Sequence, residues 1–234
     1  MKLAIMQPYF FPYIGYFQLM NTVDEFVIYD NIEFSKKGWI NRNRILVNGR
    51  DSYITIPIGK DSDYLDVRDR SLTVTWSSEK IKMLKRIIES YRKAPRFDFV
   101  YPIIEKVILF EESNLFRFVL NSLRIVKEYL DIQTPFVISS TIPIDHSLKA
   151  EKKVIALCKM RKANEYLNPI GGIKLYEKDR FKGEGIDLYF LKTNDVIYKQ
   201  FNNDFVPSLS IIDVMMFNSK EKIKEYLGSC YTLL

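Results

Sequence analysis

The chain has 234 residues, 47% of them hydrophobic, and a formal charge of +6 at neutral pH. That composition supports a sizeable buried core and excludes a disordered chain. The charge favours anionic partners but is too small to imply nucleic acid unaided. Cys158 and Cys230 are the only cysteines, so neither a disulfide scaffold nor a zinc site is expected. No signal peptide is visible, and no apolar run reaches the roughly 20 residues of a spanning helix. A cytoplasmic protein is the expectation.

Residues 3–7 and 25–30 (EFVIYD) are short apolar runs with a helical stretch between them, the pattern of a βαβ unit. Residues 44–58 (RILVNGRDSYITIPI) read as a hairpin, because Asn48 and Gly49 suit a tight turn. Helices are expected over 79–91 and 114–130. In the first, Ile81, Leu84, Ile87, Ile88 and Tyr91 share a face; in the second, Leu115, Phe116, Val119, Leu120, Leu123, Val126 and Leu130 do. Pro95 and Pro102 separate the two. PFVISS is a third strand, 149–162 a helix, EYLNP and IDLYFLK further strands, and 219–227 a last helix. No repeat or linker is visible. The alternation predicts a single α/β domain over 1–234 with a mainly parallel, Rossmann-like sheet and flanking helices. Residues 79–130 read as a helical insertion or cap.

In an open parallel sheet, ligands bind in the crevice at the carboxyl ends of the strands, so the residues that follow each strand are candidates. After the first strand comes Pro8-Tyr9-Phe10-Phe11-Pro12-Tyr13-Ile14-Gly15-Tyr16. The prolines shape the loop, and the rings offer a rigid wall for a base or sugar. Phe10, Phe11 and Phe17 fit a buried core equally well. Gly15 at a helix start permits close backbone approach and leaves N–H groups for an anion. After the second strand, Asp30 precedes NIEFSKKGWINRNR, where Lys36, Lys37, Arg42 and Arg44 surround Trp39. Such cations suit phosphate or carboxylate, although a solvated basic loop has the same composition.

His146, the only histidine, follows the third strand and is a candidate acid or base. Asn168, Gly171 and Gly172 follow the fourth, where paired glycines either bring backbone amides to a ligand or make a plain turn. Asp30 and Asp213 have apolar neighbours and are open to pKa tuning or to a capping role. No nucleophilic triad can be assembled, no metal set stands out, and the cofactor is left unknown.

The stretches QPYFFPYIGYFQLM, DEFVIYDNIEFSKKGWINRNRIL, YLNPIGGIKLY and FVPSLSIIDVMMFN resemble the WbqC-like protein family, in one order along the chain. Such proteins are met in bacterial gene clusters for O-antigen, the lipopolysaccharide side chain, and other surface polysaccharides. The resemblance implies transfer of an aminoacyl group, glycine in particular, or another acyl group to the amine of a nucleotide-linked amino sugar. It also brings Gln7 and Tyr176, which lie inside those stretches, among the substrate-binding residues. Tyr13-Ile14-Gly15-Tyr16 is similar in placement to the HIGH motif of nucleotidyltransferase-like Rossmann enzymes such as pantothenate synthetase. Tyrosine stands at both histidine positions, and KMSKS has no counterpart.

Both likenesses imply amide formation on an amine, which needs a base for the amine proton and donors for the developing oxyanion. On this reading Lys36, Arg42 and Arg44 hold a phosphate, and Tyr9, Tyr13, Tyr16 and Trp39 wall the base and sugar. Asp30 is the preferred base and His146 the other candidate, while Asn168, Gly171 and Gly172 donate hydrogen bonds. The donor is left open among an adenylate, an aminoacyl-tRNA, a carrier-protein thioester and coenzyme A. A non-catalytic binding protein for sugar nucleotides or assembly partners is the competing expectation, with a nucleotidyltransferase behind it.

Overall fold

A computed structural model of the chain describes residues 1–62 and 64–234. Strand β1 (Lys2–Met6), helix α1 (Ile14–Thr22) and strand β2 (Glu25–Ile28) form the expected βαβ unit, with the strands parallel. Both strands are apolar on both faces because each is covered from two sides. Leu3 and Ile5 enter one core cluster with Val27, whereas Ala4 enters the other with Phe26 and Ile28.

Strands β3 (Arg42–Val47) and β4 (Arg50–Thr55) make the separate hairpin. Asn48 and Gly49 turn it with φ of 50° and 77°, the two positive values that a twisted two-residue turn requires.

Helices α2 (Trp76–Tyr91), α3 (Phe97–Ile108) and α4 (Leu115–Tyr129) follow. The middle one corrects the sequence reading, since it runs straight through Pro102. Proline removes one backbone hydrogen bond there. Val100, Ile104, Val107 and Ile108 are fully buried along one face, and that packing outweighs the lost bond. These three helices share a continuous apolar core with Ala4, Phe26 and Leu167 of the sheet.

Strand β5 (Phe136–Ile138) pairs outside β2 and ends earlier than expected, because Ser139–Thr141 turns into a short 3-10 helix. Helix α5 (Ala150–Met160) leads to β6 (Glu165–Pro169), which pairs on the other flank of β1. The short helix α6 (Lys178–Gly183) leads to β7 (Asp187–Thr193), parallel and outside β6. Helix α7 (Ile211–Phe217) occupies the stretch where Asp213 suggested a cap or turn. Helix α8 (Lys220–Ser229) and a short antiparallel strand β8 (Tyr231–Leu233) close the edge.

The sheet order is β5-β2-β1-β6-β7-β8. The chain therefore builds outward from β1 on one side, then returns to β1 and builds outward on the other. Helices α5 and α6 cover the face of Leu3 and Ile5; α1, α7 and α8 cover the face of Ala4. The reversal point lies between the carboxyl ends of β1 and β6, where sheets of this topology open a ligand crevice. No helix among the described residues is long and apolar enough to cross a membrane.

Candidate functional site at the ends of the parallel strands

The aromatic turn after β1 is braced from three directions. The Phe10 N–H donates to the Trp39 carbonyl (3.2 Å), and the Asn43 amide donates to the Phe10 carbonyl (3.1 Å). The Ser210 hydroxyl donates to the Phe11 carbonyl (2.8 Å), and the Ile211 N–H to that of Pro12 (2.9 Å). These bonds hold Phe11 at φ 41°, a left-handed conformation that costs a non-glycine residue about 1–2 kcal/mol.

Phe10, Phe11 and Phe17 are buried, so they are core. Tyr16 corrects the sequence reading: it is fully buried, and its hydroxyl donates to the Gln7 carbonyl at 3.0 Å. It shapes the turn from below and cannot present its ring to a ligand. Tyr9 packs on Tyr16 (centroids 5.6 Å apart) and stays half-buried, as does Tyr13. Burial raises the pKa of both phenols. Gly15 is obligatory, since a Cβ there would overlap the Tyr13 ring and the Thr193 hydroxyl. Beyond Tyr13 lies a cavity of about 160 Å³ lined by Thr193, Tyr198, Phe205 and Pro207 among others.

The basic loop is more engaged than its composition suggests. Trp39 stacks on Tyr53 (6.2 Å), with the Arg44 guanidinium 5.7 Å from the Trp39 ring. Arg42 donates to the carbonyls of Gly38 (3.0 Å) and Lys37 (2.8 Å) and lies over Tyr53. Arg44 pairs with Asp51 at 3.1 Å and reaches the Ser208 carbonyl at 3.3 Å. Both arginines brace the hairpin and the rim. Lys36 and Lys37 are exposed.

Past the end of β2, Asp30 is buried and accepts three hydrogen bonds. One carboxylate oxygen accepts from the Ser139 hydroxyl (2.8 Å) and the Ser140 N–H (2.9 Å); the other accepts from the Ser140 hydroxyl (2.6 Å). Ser139 also lies 2.6 Å from the Asn31 side-chain oxygen, and the Asn31 amide nitrogen lies 2.9 Å from His146 Nδ1. The two candidate bases thus belong to one hydrogen-bonded chain.

At the end of β6, Asn168 is buried, and Gly172 makes room for it: a Cβ at Gly172 would overlap its amide nitrogen. Gly171 has open space around it. Tyr176 meets Tyr166 edge-on at 5.8 Å, and burial raises both phenols. Tyr29, next to Asp30, has its phenol pushed up to about 12 by burial and by the proximity of Tyr176 and Asp66.

The profile of the WbqC-like protein family matches residues 7–225. The chain belongs to that family. A relative in Mycobacterium tuberculosis, the uncharacterized protein Rv1507c, is 28% identical over 235 aligned positions and spans 98% of each chain. No solved structure gives a significant match. In this WbqC-like protein the family match begins at Gln7, the first residue past β1.

Lys153 was not singled out from sequence. It projects from the first turns of α5, is buried, and lies 3.3 Å from the Asn31 carbonyl and 5.2 Å from the Tyr29 ring centre. Burial lowers its ammonium pKa, against the pull of Asp66 and Asp30. Its signal was a lysine four residues before Leu157, inside the helix's apolar stripe. Asn31 and Ser139 were equally silent, since only the fold shows that a strand end joins them.

Proposed function

We propose that this WbqC-like protein transfers an aminoacyl or other small acyl group to the amine of a nucleotide-linked amino sugar, in bacterial surface-polysaccharide assembly. The observation that carries the reading is the meeting of polar groups around the β1–β6 reversal point. Gln7, Asn168 and Gly172 lie at or just past the two strand ends there; Tyr29, past the neighbouring β2, is near Tyr176 and carries Asp30 and Lys153 beside it.

In this reading Tyr9 and Tyr13 flank the base or sugar, and Lys153, with Arg68 nearby, attracts the phosphates. Arg42 and Arg44 keep the rim in shape instead of binding phosphate, while Lys36 and Trp39 stand at its outer edge. The amine nitrogen attacks the acyl carbon, its bond to the donor oxygen or sulfur breaks, and the amine proton passes to the Asp30–His146 chain. Asn168, with the Gly171–Gly172 backbone, donates to the developing oxyanion.

The test incubates the protein with uridine-diphosphate and thymidine-diphosphate amino sugars. Each is paired with glycyl-tRNA, with ATP and glycine, with acyl-coenzyme A, or with an acylated carrier protein. Mass spectrometry should detect an N-acylated sugar nucleotide with one of these donors. A tRNA donor further predicts affinity that falls steeply with salt. Tight sugar-nucleotide binding with no product from any donor would overturn the enzyme reading and leave a binding protein.

A further inference from the structure

The contacts of Ser139 do not balance for an ionised Asp30 beside a neutral His146. The Ser139 oxygen accepts the Asp30 N–H at 3.2 Å. It also sits 2.8 Å from the Asp30 carboxylate and 2.6 Å from the Asn31 side-chain oxygen. A hydroxyl has one proton and can serve only one of those two acceptors. The second short contact requires a further proton somewhere in the chain.

Two arrangements supply it. In one, Asp30 carries the proton and donates to Ser139, which donates to the Asn31 oxygen. The Asn31 amide then donates to His146 Nδ1, and His146 Nε2–H donates to the Ile142 carbonyl at 3.0 Å. In the other, the Asn31 amide is turned by half a rotation, so that its nitrogen donates to Ser139 and Ser139 donates to an ionised Asp30. His146 Nδ1 must then donate to the Asn31 oxygen while Nε2 still donates to Ile142, so the ring is an imidazolium. Both arrangements hold the same number of protons, which moves from one end to the other with the amide rotation.

We propose that Asp30, Ser139, Asn31 and His146 are one proton-sharing chain holding a proton beyond the ionised-carboxylate, neutral-imidazole state, with Ser139 and Asn31 as positioning residues. The charged groups facing it are Lys153 on α5, Asp66 and Arg68 of the 66–69 turn, Asp145 next to His146, and Lys149 near Lys153. Asp30 is the buried end and His146 the half-exposed end. The proton count needs no substrate; its use rests on the acyl-transfer reading above. There the chain gives its proton to the departing oxygen or sulfur of the donor and takes the amine proton in return, leaving its own count unchanged.

Because the protein has a single histidine, labelling its ring with ¹⁵N isolates His146 by NMR, and ¹³C-labelled aspartate reports Asp30. In the folded native protein at neutral pH, either the His146 nitrogens should read as an imidazolium or the Asp30 carboxyl as protonated. Ser139→Ala, which interrupts the chain, should change the His146 ring spectrum, and Ser139→Thr, which keeps the hydroxyl, should restore it. A neutral imidazole beside an ionised Asp30 carboxylate in the native protein would overturn the proposal, whatever the variants do. So would a His146 ring spectrum unchanged by Ser139→Ala or Asp30→Asn in folded protein. None of these readings depends on turnover, so this chain can fail while acyl transfer stands, and the reverse.

Discussion

Gly172 has no side chain because Asn168 fills the space that one would need. A Cβ at Gly172 would overlap the Asn168 amide nitrogen, whereas one at Gly171 would meet nothing. Gly172→Ala should therefore cost about 1–3 kcal/mol through overpacking, seen as a lower midpoint in thermal unfolding. Gly171→Ala should leave the midpoint within about 0.5 kcal/mol of the native value. Adding Asn168→Ala should recover much of the Gly172→Ala loss, because the two residues compete for one space. Equal losses at the two glycines would contradict this.

Asp213 is buried on α7 among three donors: the Tyr91 hydroxyl (2.9 Å), the Tyr198 hydroxyl (2.6 Å) and the Gln200 amide (2.7 Å). Burial raises its pKa above the ordinary 3.8, and the three donors only partly offset that. The folded state therefore binds this proton more tightly than the unfolded chain. Its contribution to stability is greatest below the unfolded pKa and is lost as pH rises through the folded one. Urea unfolding from about pH 4 upward should show Asp213→Asn losing less stability with rising pH than the native protein does. A constant gap between the two proteins would refute the linkage.

Tyr91 joins that carboxylate to the hairpin, because its hydroxyl also accepts the Leu46 N–H at 2.8 Å. Tyr91→Phe leaves a buried N–H and a buried carboxylate each short of a partner. We expect a loss of about 1–3 kcal/mol in chemical unfolding. A change below about 0.5 kcal/mol would place the hydroxyl outside the stabilising network.

The two cysteines should behave differently. Cys158 is fully buried on α5, and burial pushes its thiol up to about 12, so almost no thiolate forms near neutrality. Cys230 is half-exposed. A disulfide reagent should modify one thiol promptly in the native protein and the second only on unfolding, and peptide mapping should assign the prompt one to Cys230.

The sheet was legible because its strands are short apolar runs that must be covered on both faces, and the hairpin because Asn48 and Gly49 accept positive φ. Helix α3 was hidden by Pro102, whose local cost the burial of Val100 and Ile104 overrides. Helix α7 was hidden because Ile211, Ile212, Val214, Met215 and Met216 are all buried, which leaves no polar face to betray a period. At the site, the rule that ligands gather at strand ends pointed to Asp30 and Asn168, and the family resemblance added Gln7. It could not say that Arg42 and Arg44 would spend their donors on local carbonyls and Asp51, or that Tyr16 would point inward. Lys153, Asn31 and Ser139 depend on elements far apart in sequence, and no local pattern announces such a meeting.

The bond from Ser210 to Phe11 and the one from Ile211 to Pro12 tie the first loop of the protein to nearly the last helix pair. Gln18 repeats the pattern, donating to the carbonyls of Tyr226 and Cys230. A growing chain can lay down β1 early and lean its aromatic turn on Trp39 and Asn43, but the bonds from Ser210 and Ile211 must wait until α7 emerges from the ribosome. The candidate site should thus mature only after α7 is made, and a polypeptide halted short of α7 would hold a sheet without a finished mouth.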